Sequence, residues 1–103
     1  MPHQPEIDER PRRWVVNSDS RLIWKSWDSD EFVVYSTASG DTHQLNKVTA
    51  EVLRQLEHAA LEFSDLARNV ADALGAELDD QTETYVARLL AHLDQIGLVE
   101  LVP

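Results

Sequence analysis

Two kinds of hydrophobic pattern divide the chain. Between residues 14 and 45, large apolar residues mix with polar ones over short runs, and five of the seven aromatic residues lie there. The run Phe32–Tyr35 suits a strand that is covered on both faces. After residue 46, apolar positions recur with the 3.6-residue period of a helix. The pattern therefore predicts strands followed by helices.

Three strands are expected in the first half, separated by turn residues. We place them at Arg21–Trp27, Glu31–Thr37 and Thr42–Leu45. The segment 28–30 reads Asp-Ser-Asp and favours a turn, because these side chains hydrogen-bond their own backbone. Gly40, in the second connection, is able to adopt a positive φ angle. The result is a small antiparallel meander.

Three helices are expected in the second half. The first should run from about Lys47 to His58, with Asn46 as its N-cap. Ser64 is expected to cap the second helix, and Gly75 is expected to end it. Each segment carries one apolar stripe at helical spacing, which is typical of helices that pack on a common core.

The third helix is expected to begin at Asp80, which with Glu83 resembles a capping box. It should run to about Ile96 and end at Gly97, and Leu98–Val102 should form a short extended tail packed on the domain. A short link joins the second and third helices, as in a helix-turn-helix. The order predicts an α+β, winged-helix-like fold, in which a three-stranded antiparallel N-terminal meander precedes a three-helix bundle.

The length of 103 residues fits one domain. Residues 1–13 contain three prolines and mixed charges without periodicity, so we expect a flexible N-terminal tail followed by a single domain over residues 14–103. Cysteine is absent, which excludes disulfides and thiolate metal sites. No apolar run approaches the roughly 20 residues that span a bilayer, and the first residues form no apolar signal core. We therefore expect no membrane contact and a cytoplasmic location.

Sequence signals of catalysis are weak. The chain contains no glycine-rich phosphate loop, no His-Glu-x-x-His motif and no Gly-x-Ser-x-Gly motif. The four histidines are scattered and belong to no recognised metal-binding motif: His3, His43, His58 and His92. We therefore predict that the protein is not an enzyme and has no catalytic residues, metal ligands or cofactor.

The charge balance argues against nucleic acid as the partner. The formal net charge is −10, and residues 47–103 hold 11 acidic and 4 basic residues, a net charge of −7. A DNA-reading third helix would carry Asp80, Glu83 and Asp94 against Arg88. Because phosphate backbones are bound mainly through cations, a winged-helix DNA-binding regulator is the less favoured alternative.

Peptide binding agrees better with the order of elements. The segment Thr42–Leu45 ends the meander, and an open strand edge is a template for an incoming strand. If the third helix lies alongside, then Tyr85, Arg88 and His92, which share one helical stripe, wall the groove. The same stripe is also typical of a solvated helix flank. A structural dimerisation or adaptor module, forming a homodimer through these edges, is a further alternative.

Several short motifs, taken in their order and spacing, resemble the PqqD family. They are Glu31–Tyr35, Ser39–Asn46, Ala50–Arg54 and the terminal Gly97–Val99. The chain is most similar to the branch of PqqD-family peptide chaperones associated with HPr kinase-related systems. The resemblance covers about residues 20–101. Its most specific parts are Ser-Gly-Asp-Thr-His with Leu45 and Asn46 in the second motif, and the terminal Gly97–Val99.

The resemblance implies recognition of the leader part of a ribosomally made precursor peptide, which is presented to a modifying enzyme of the same system. In relatives the peptide adds to the third strand and rests against the third helix. By position, this implies peptide contacts at Thr42, His43, Gln44, Leu45, Tyr85, Arg88 and His92. Proline at position 45 would then be expected to weaken client binding, because proline removes a strand N–H group.

Overall fold

The computed structural model describes residues 12–19, 21–26 and 31–103. The elements in chain order are β1 (Arg13–Val16), β2 (Leu22–Ser26), β3 (Glu31–Ser36), β4 (Thr42–Asn46), α1 (Lys47–His58), α2 (Phe63–Leu74), α3 (Asp80–Gln95) and β5 (Val99–Val102). The α+β class, with an antiparallel meander followed by three helices, confirms the predicted architecture. Trp27, the expected turn at 28–30 and residues 1–11 of the expected tail lie outside the described residues.

The strands β2, β3 and β4 form one antiparallel sheet in that order. Val34 in the central strand lies opposite His43, whereas the neighbouring Tyr35 lies opposite Thr42. Side chains directly opposite each other share a face of the sheet. Val34 is completely buried, and Tyr35 is 39 % exposed. The sheet therefore has an inner face, which contributes to the core, and an outer face, which is open to solvent.

Helix α1 packs across the inner face of this sheet. The Trp24 indole Nε1–H donates to Glu57 Oε1 at 2.6 Å. The Arg54 guanidinium carbon lies 5.0 Å from the centre of the Trp24 ring and 4.8 Å from that of Phe32. The core that continues from this contact joins the sheet, the helices and β5: Phe32, Val34, Leu45, Ala50, Val52, Leu53, Leu56, Leu66, Ala67, Val70, Val86, Leu90, Leu93, Leu98 and Val99.

The first two helices follow the expected bounds with one correction. The Asn46 side chain accepts a hydrogen bond from the Thr49 N–H at 2.9 Å, which confirms it as the N-cap of α1. The N-cap of α2 is Glu62, with no side-chain cap bond, so the expectation of Ser64 as the cap is wrong. Gly75 ends α2 at a φ angle of 66°, where a side chain would be strained.

Helix α3 begins at Asp80, as expected, but its N-cap is one residue earlier than expected. Asp79 is the N-cap, and its carboxylate accepts from the Thr82 N–H at 2.8 Å. This hydrogen bond from the Thr82 backbone lowers the pKa of Asp79 below its ordinary value. The expected cap, Asp80, is instead the first helical residue, where its negative charge suits the positive end of the helix dipole.

A second sheet, which the sequence pattern does not indicate, ties the two ends of the described chain together. β1 pairs antiparallel with β5, with Arg13 opposite Val102. Trp14 also pairs with Leu61, through N–H···O bonds of 2.7 and 3.0 Å. The expected extended tail at 98–102 is therefore a paired strand, and strand structure begins at Arg13, one residue before the expected domain start. None of the helices in the described ranges is both long and apolar enough to cross a bilayer.

Candidate functional site

β4 lies at one edge of the three-stranded sheet. Its inner neighbour is β3, and within residues 12–19, 21–26 and 31–103 no strand pairs with its other side. The edge leads directly into α1, because Asn46 is both the last residue of β4 and the cap of the helix. The open edge therefore ends at Asn46, where helix α1 begins.

A hydrogen bond beside the β3–β4 turn shows which way the backbone groups of β4 point. The Ser36 N–H donates to the Asp41 carbonyl at 2.9 Å, and this pair continues the register of β3 with β4. Hydrogen-bonded pairs alternate along an antiparallel ladder. The backbone groups of His43 and Leu45 are therefore directed at β3.

The intervening residues of β4 present their backbone to the open edge. By the same alternation, the N–H and C=O groups of Thr42 and Gln44 point away from β3. The pairing of β3 with β2 is consistent with this assignment. The Thr37 N–H donates to the Arg21 carbonyl at 3.0 Å, so alternate residues of β3 bond to β2 and the residues between them bond to β4. Thr42 and Gln44 thus offer the hydrogen-bonding groups that an added strand needs.

The side chains of β4 alternate between the two faces. Leu45 is buried in the core, and His43 lies on the same inner face, opposite Val34. The His43 Nε2 atom is buried, and no described residue hydrogen-bonds it. An unpaired buried polar atom costs about 1–3 kcal/mol. The inner face beside the open edge therefore retains one unused hydrogen-bonding group.

An apolar cleft of about 240 Å³ lies between the first turn of α1, the end of α2 and the first half of α3. Val48 brings the cleft to within two residues of β4, and Tyr85 at its rim is 44 % exposed. The apolar stripes of the sequence contain several of its residues but indicate only core positions. The lining residues are Val48, Val70, Ala71, Leu74, Ala76, Gln81, Thr82, Tyr85 and Val86.

The three α3 residues predicted to contact a peptide, Tyr85, Arg88 and His92, lie in different surroundings. Tyr85 and Arg88 together line a shallow depression of about 330 Å³ with Asp80. Tyr85 also reaches the apolar cleft, so it is the predicted α3 residue that shares a described cavity with the start of α1. His92 is exposed on α3, and it lines neither cavity. α3 itself packs mainly on α2 and β5.

The geometry changes how the open edge should be tested. Leu45 is 6 % exposed, and its N–H is directed at β3, so proline there would break the sheet and the core together. Leu45→Pro would therefore lower client binding together with the fold, and the substitution cannot separate the two effects. Gln44 is exposed, and its N–H points to the open edge, where proline is tolerated.

The described residues contain no group of three or more histidine, aspartate or glutamate side chains placed to hold a metal ion. The candidate site is therefore made of strand backbone, an apolar cleft and the Tyr85–Arg88 pair.

In comparisons with known proteins, no family model, no curated protein and no solved structure matches this chain.

Proposed function

We propose that this chain is a non-catalytic peptide-binding module of the PqqD type. It takes the leader part of a ribosomally made precursor as a strand added to β4 and presents it to a modifying enzyme in the cytoplasm. The observation that carries the proposal is the open β4 edge, where the outward N–H and C=O groups belong to Thr42 and Gln44. Such main-chain pairing supplies affinity with little dependence on the client sequence.

The cleft beside the end of β4 supplies selectivity. Val48 and Tyr85 line it from α1 and α3, and its remaining lining is mostly apolar. A client side chain that fills it gains about 1.5–3 kcal/mol if it is Leu, Ile, Val, Phe or Met. Arg88 lines the neighbouring depression with Tyr85, and it is the proposed partner for a client carboxylate.

The acidic helical half makes a protein or peptide partner a better fit than DNA. Residues 47–103 carry a net charge of −7, and Arg88 shares its depression with Asp80. A duplex would meet repulsion along this surface, whereas strand addition depends on backbone groups that carry no net charge. The proposal therefore involves no nucleic acid, membrane or cofactor.

An NMR titration of the isotopically labelled chain tests the proposal. The probe is a synthetic peptide that covers the leader of a precursor encoded beside this chain. We expect shifts concentrated at 42–46 and around Tyr85. We expect Gln44→Pro to weaken binding roughly tenfold or more, because it removes an outward N–H group and adds a ring at the edge.

Gln44→Val is the matched control. It changes the same side chain but keeps the N–H group, so its affinity for the same peptide should stay within a factor of about three of the unmodified chain. Both variants are checked for folding by circular dichroism. Equal affinity of a folded Gln44→Pro variant would show that the peptide is not added as a strand at this edge.

A further inference from the structure

The outer face of the three-stranded sheet exposes large apolar side chains, whereas the proposed peptide site uses the backbone groups at the edge of β4. It contains a depression of about 420 Å³ whose lining residues all come from β2, β3 and β4. Ile23 is 47 % exposed and Tyr35 is 39 % exposed, both high values for large apolar side chains. Two cross-strand rows form its centre, Ile23–Tyr35–Thr42 and Lys25–Val33–Gln44.

Charges of opposite sign lie at the two ends of these rows. Arg21 directly precedes β2 and hydrogen-bonds Thr37, so it lies one row beyond Ile23. Glu31 lies opposite Asn46, one row beyond Val33. The period-two alternation of a strand directs both side chains to the outer face. The face thus carries Arg21 at one end and Glu31 at the other. Ile23, Val33 and Tyr35 lie between them, and Lys25 lies at the margin of the face, on edge strand β2.

This arrangement is complementary to itself. Consider a two-fold axis that runs parallel to the sheet, perpendicular to the strands and midway between the two central rows. Rotation by 180° about this axis places a second copy face to face with the first. In the second copy the order of the rows is reversed. The Arg21 end of one copy then faces the Glu31 end of the other, with the two residues offset sideways by one strand spacing of about 4.8 Å, which a long arginine side chain can span. The reciprocal contact forms at the opposite end. In the centre, Tyr35 of each copy lies over Val33 of the other, at the spacing of about 10 Å that is typical of stacked sheets.

We propose that the outer face is a homodimer interface, in which two copies of this chain stack sheet on sheet. A two-fold interface requires a patch that complements itself, and the separated charges of Arg21 and Glu31 meet that requirement. Three short strands bury less than the usual 800 Å² or so per partner. The dimer should therefore be weak, with a dissociation constant on the order of 100 µM.

The interface is independent of the proposed peptide site. The open edge of β4 lies at the margin of the stacked sheets, with its outward N–H and C=O groups in the plane of the sheet rather than on its face. Each copy therefore keeps its own edge free for a client. Failure of the dimer would leave the strand-addition proposal untouched, and the reverse also holds.

Sedimentation equilibrium of the full chain, over a concentration series that reaches the millimolar range, tests this proposal. A salt concentration of about 0.15 M screens the repulsion between copies that each carry a net charge of −10. Arg21→Glu and Glu31→Arg should each weaken dimerisation roughly tenfold, because each places two like-charge contacts in the interface. An equimolar mixture of the two variants should associate as well as the unmodified chain, because the mixed dimer restores both opposite-charge contacts.

Val33→Asp, in the centre of the face, should abolish association, whereas Arg88→Glu on α3, away from the sheet, should leave it unchanged. The chain remaining monomeric at millimolar concentration would overturn the proposal. A mixture of Arg21→Glu and Glu31→Arg that associates no better than either variant alone would also overturn it. So would dimerisation that Gln44→Pro abolishes and Val33→Asp does not. The last result would identify edge-to-edge pairing instead. Circular dichroism confirms that each variant is folded.

Discussion

The two faces of the three-stranded sheet carry similar apolar residues but have different surroundings. On the inner face, Val34 and Leu45 are buried beneath helix α1. On the outer face, Ile23 and Tyr35 remain open to solvent. The same strands supply both sets of residues, one position apart. The comparison shows that the environment of a strand residue depends on which face the helices cover, and that apolar character alone does not decide it.

The largest expected effect separates the inner ladder from the open edge of β4. Leu45→Pro should lower the free energy of unfolding by about 4 kcal/mol or more, since it removes a ladder hydrogen bond and a buried leucine side chain. Gln44→Pro, one residue away, should cost about 1 kcal/mol, because its N–H points outward. Urea unfolding monitored by circular dichroism measures both. Similar losses would mean that the assigned hydrogen-bond phase of β4 is wrong.

A matched valine pair tests the comparison of the two faces directly. Val34 is completely buried, whereas its neighbour Val33 lies on the outer face. Val34→Ala should cost about 2 kcal/mol through lost burial and the cavity that it leaves. Val33→Ala should cost about 0.5 kcal/mol, as at most surface positions. Denaturant unfolding of the two variants under the same conditions gives the difference, and equal costs would contradict the assignment of the faces.

The smallest expected effect concerns one hydrogen bond at the rim of the inner face. Trp24→Phe removes the Nε1–H that donates to Glu57 but retains an aromatic ring next to Arg54. It should cost about 1 kcal/mol. Tyr35→Phe on the outer face is the control, and it should stay within about 0.5 kcal/mol of the unmodified chain. A loss at Tyr35 as large as at Trp24 would show that the outer hydroxyl also has a stabilising partner.

The local elements of the fold were predictable from short-range chemistry. The bounds of α1 agree with the prediction because Asn46 caps its own helix through a contact three residues away. The two cap errors share one cause. Short-range chemistry places a helix terminus only to within one or two residues, and the observed N-cap positions, Glu62 and Asp79, lie that close to the expected Ser64 and Asp80.

The pairing of β1 with β5 was not predictable in the same way. Val16 and Val99 are partners although they lie near opposite ends of the chain. Strands of four residues carry too little periodicity to reveal a partner, and long-range pairing leaves no local signal. The pairing becomes visible only when the helices bring these segments together.

The candidate site likewise has some features that the sequence predicts and others that depend on the folded structure. The position of a strand edge at 42–45, and the absence of catalytic motifs, could be inferred from residue order alone. The outward direction of the Thr42 and Gln44 backbone groups could not, because a strand with alternating faces is compatible with either ladder phase. The apolar cleft at Val48 and Tyr85 depends on the packing of three separate helices.

Local propensity, capping and the spacing of apolar residues were sufficient for the order of the elements and the α+β class, because they act within a few residues of the chain. The choice of the covered face, the closure of β1 on β5 and the outward direction of the Thr42 and Gln44 backbone groups required the folded molecule. These features come from contacts between segments distant in sequence, which are selected by burial of the whole core, and no single segment contains that information.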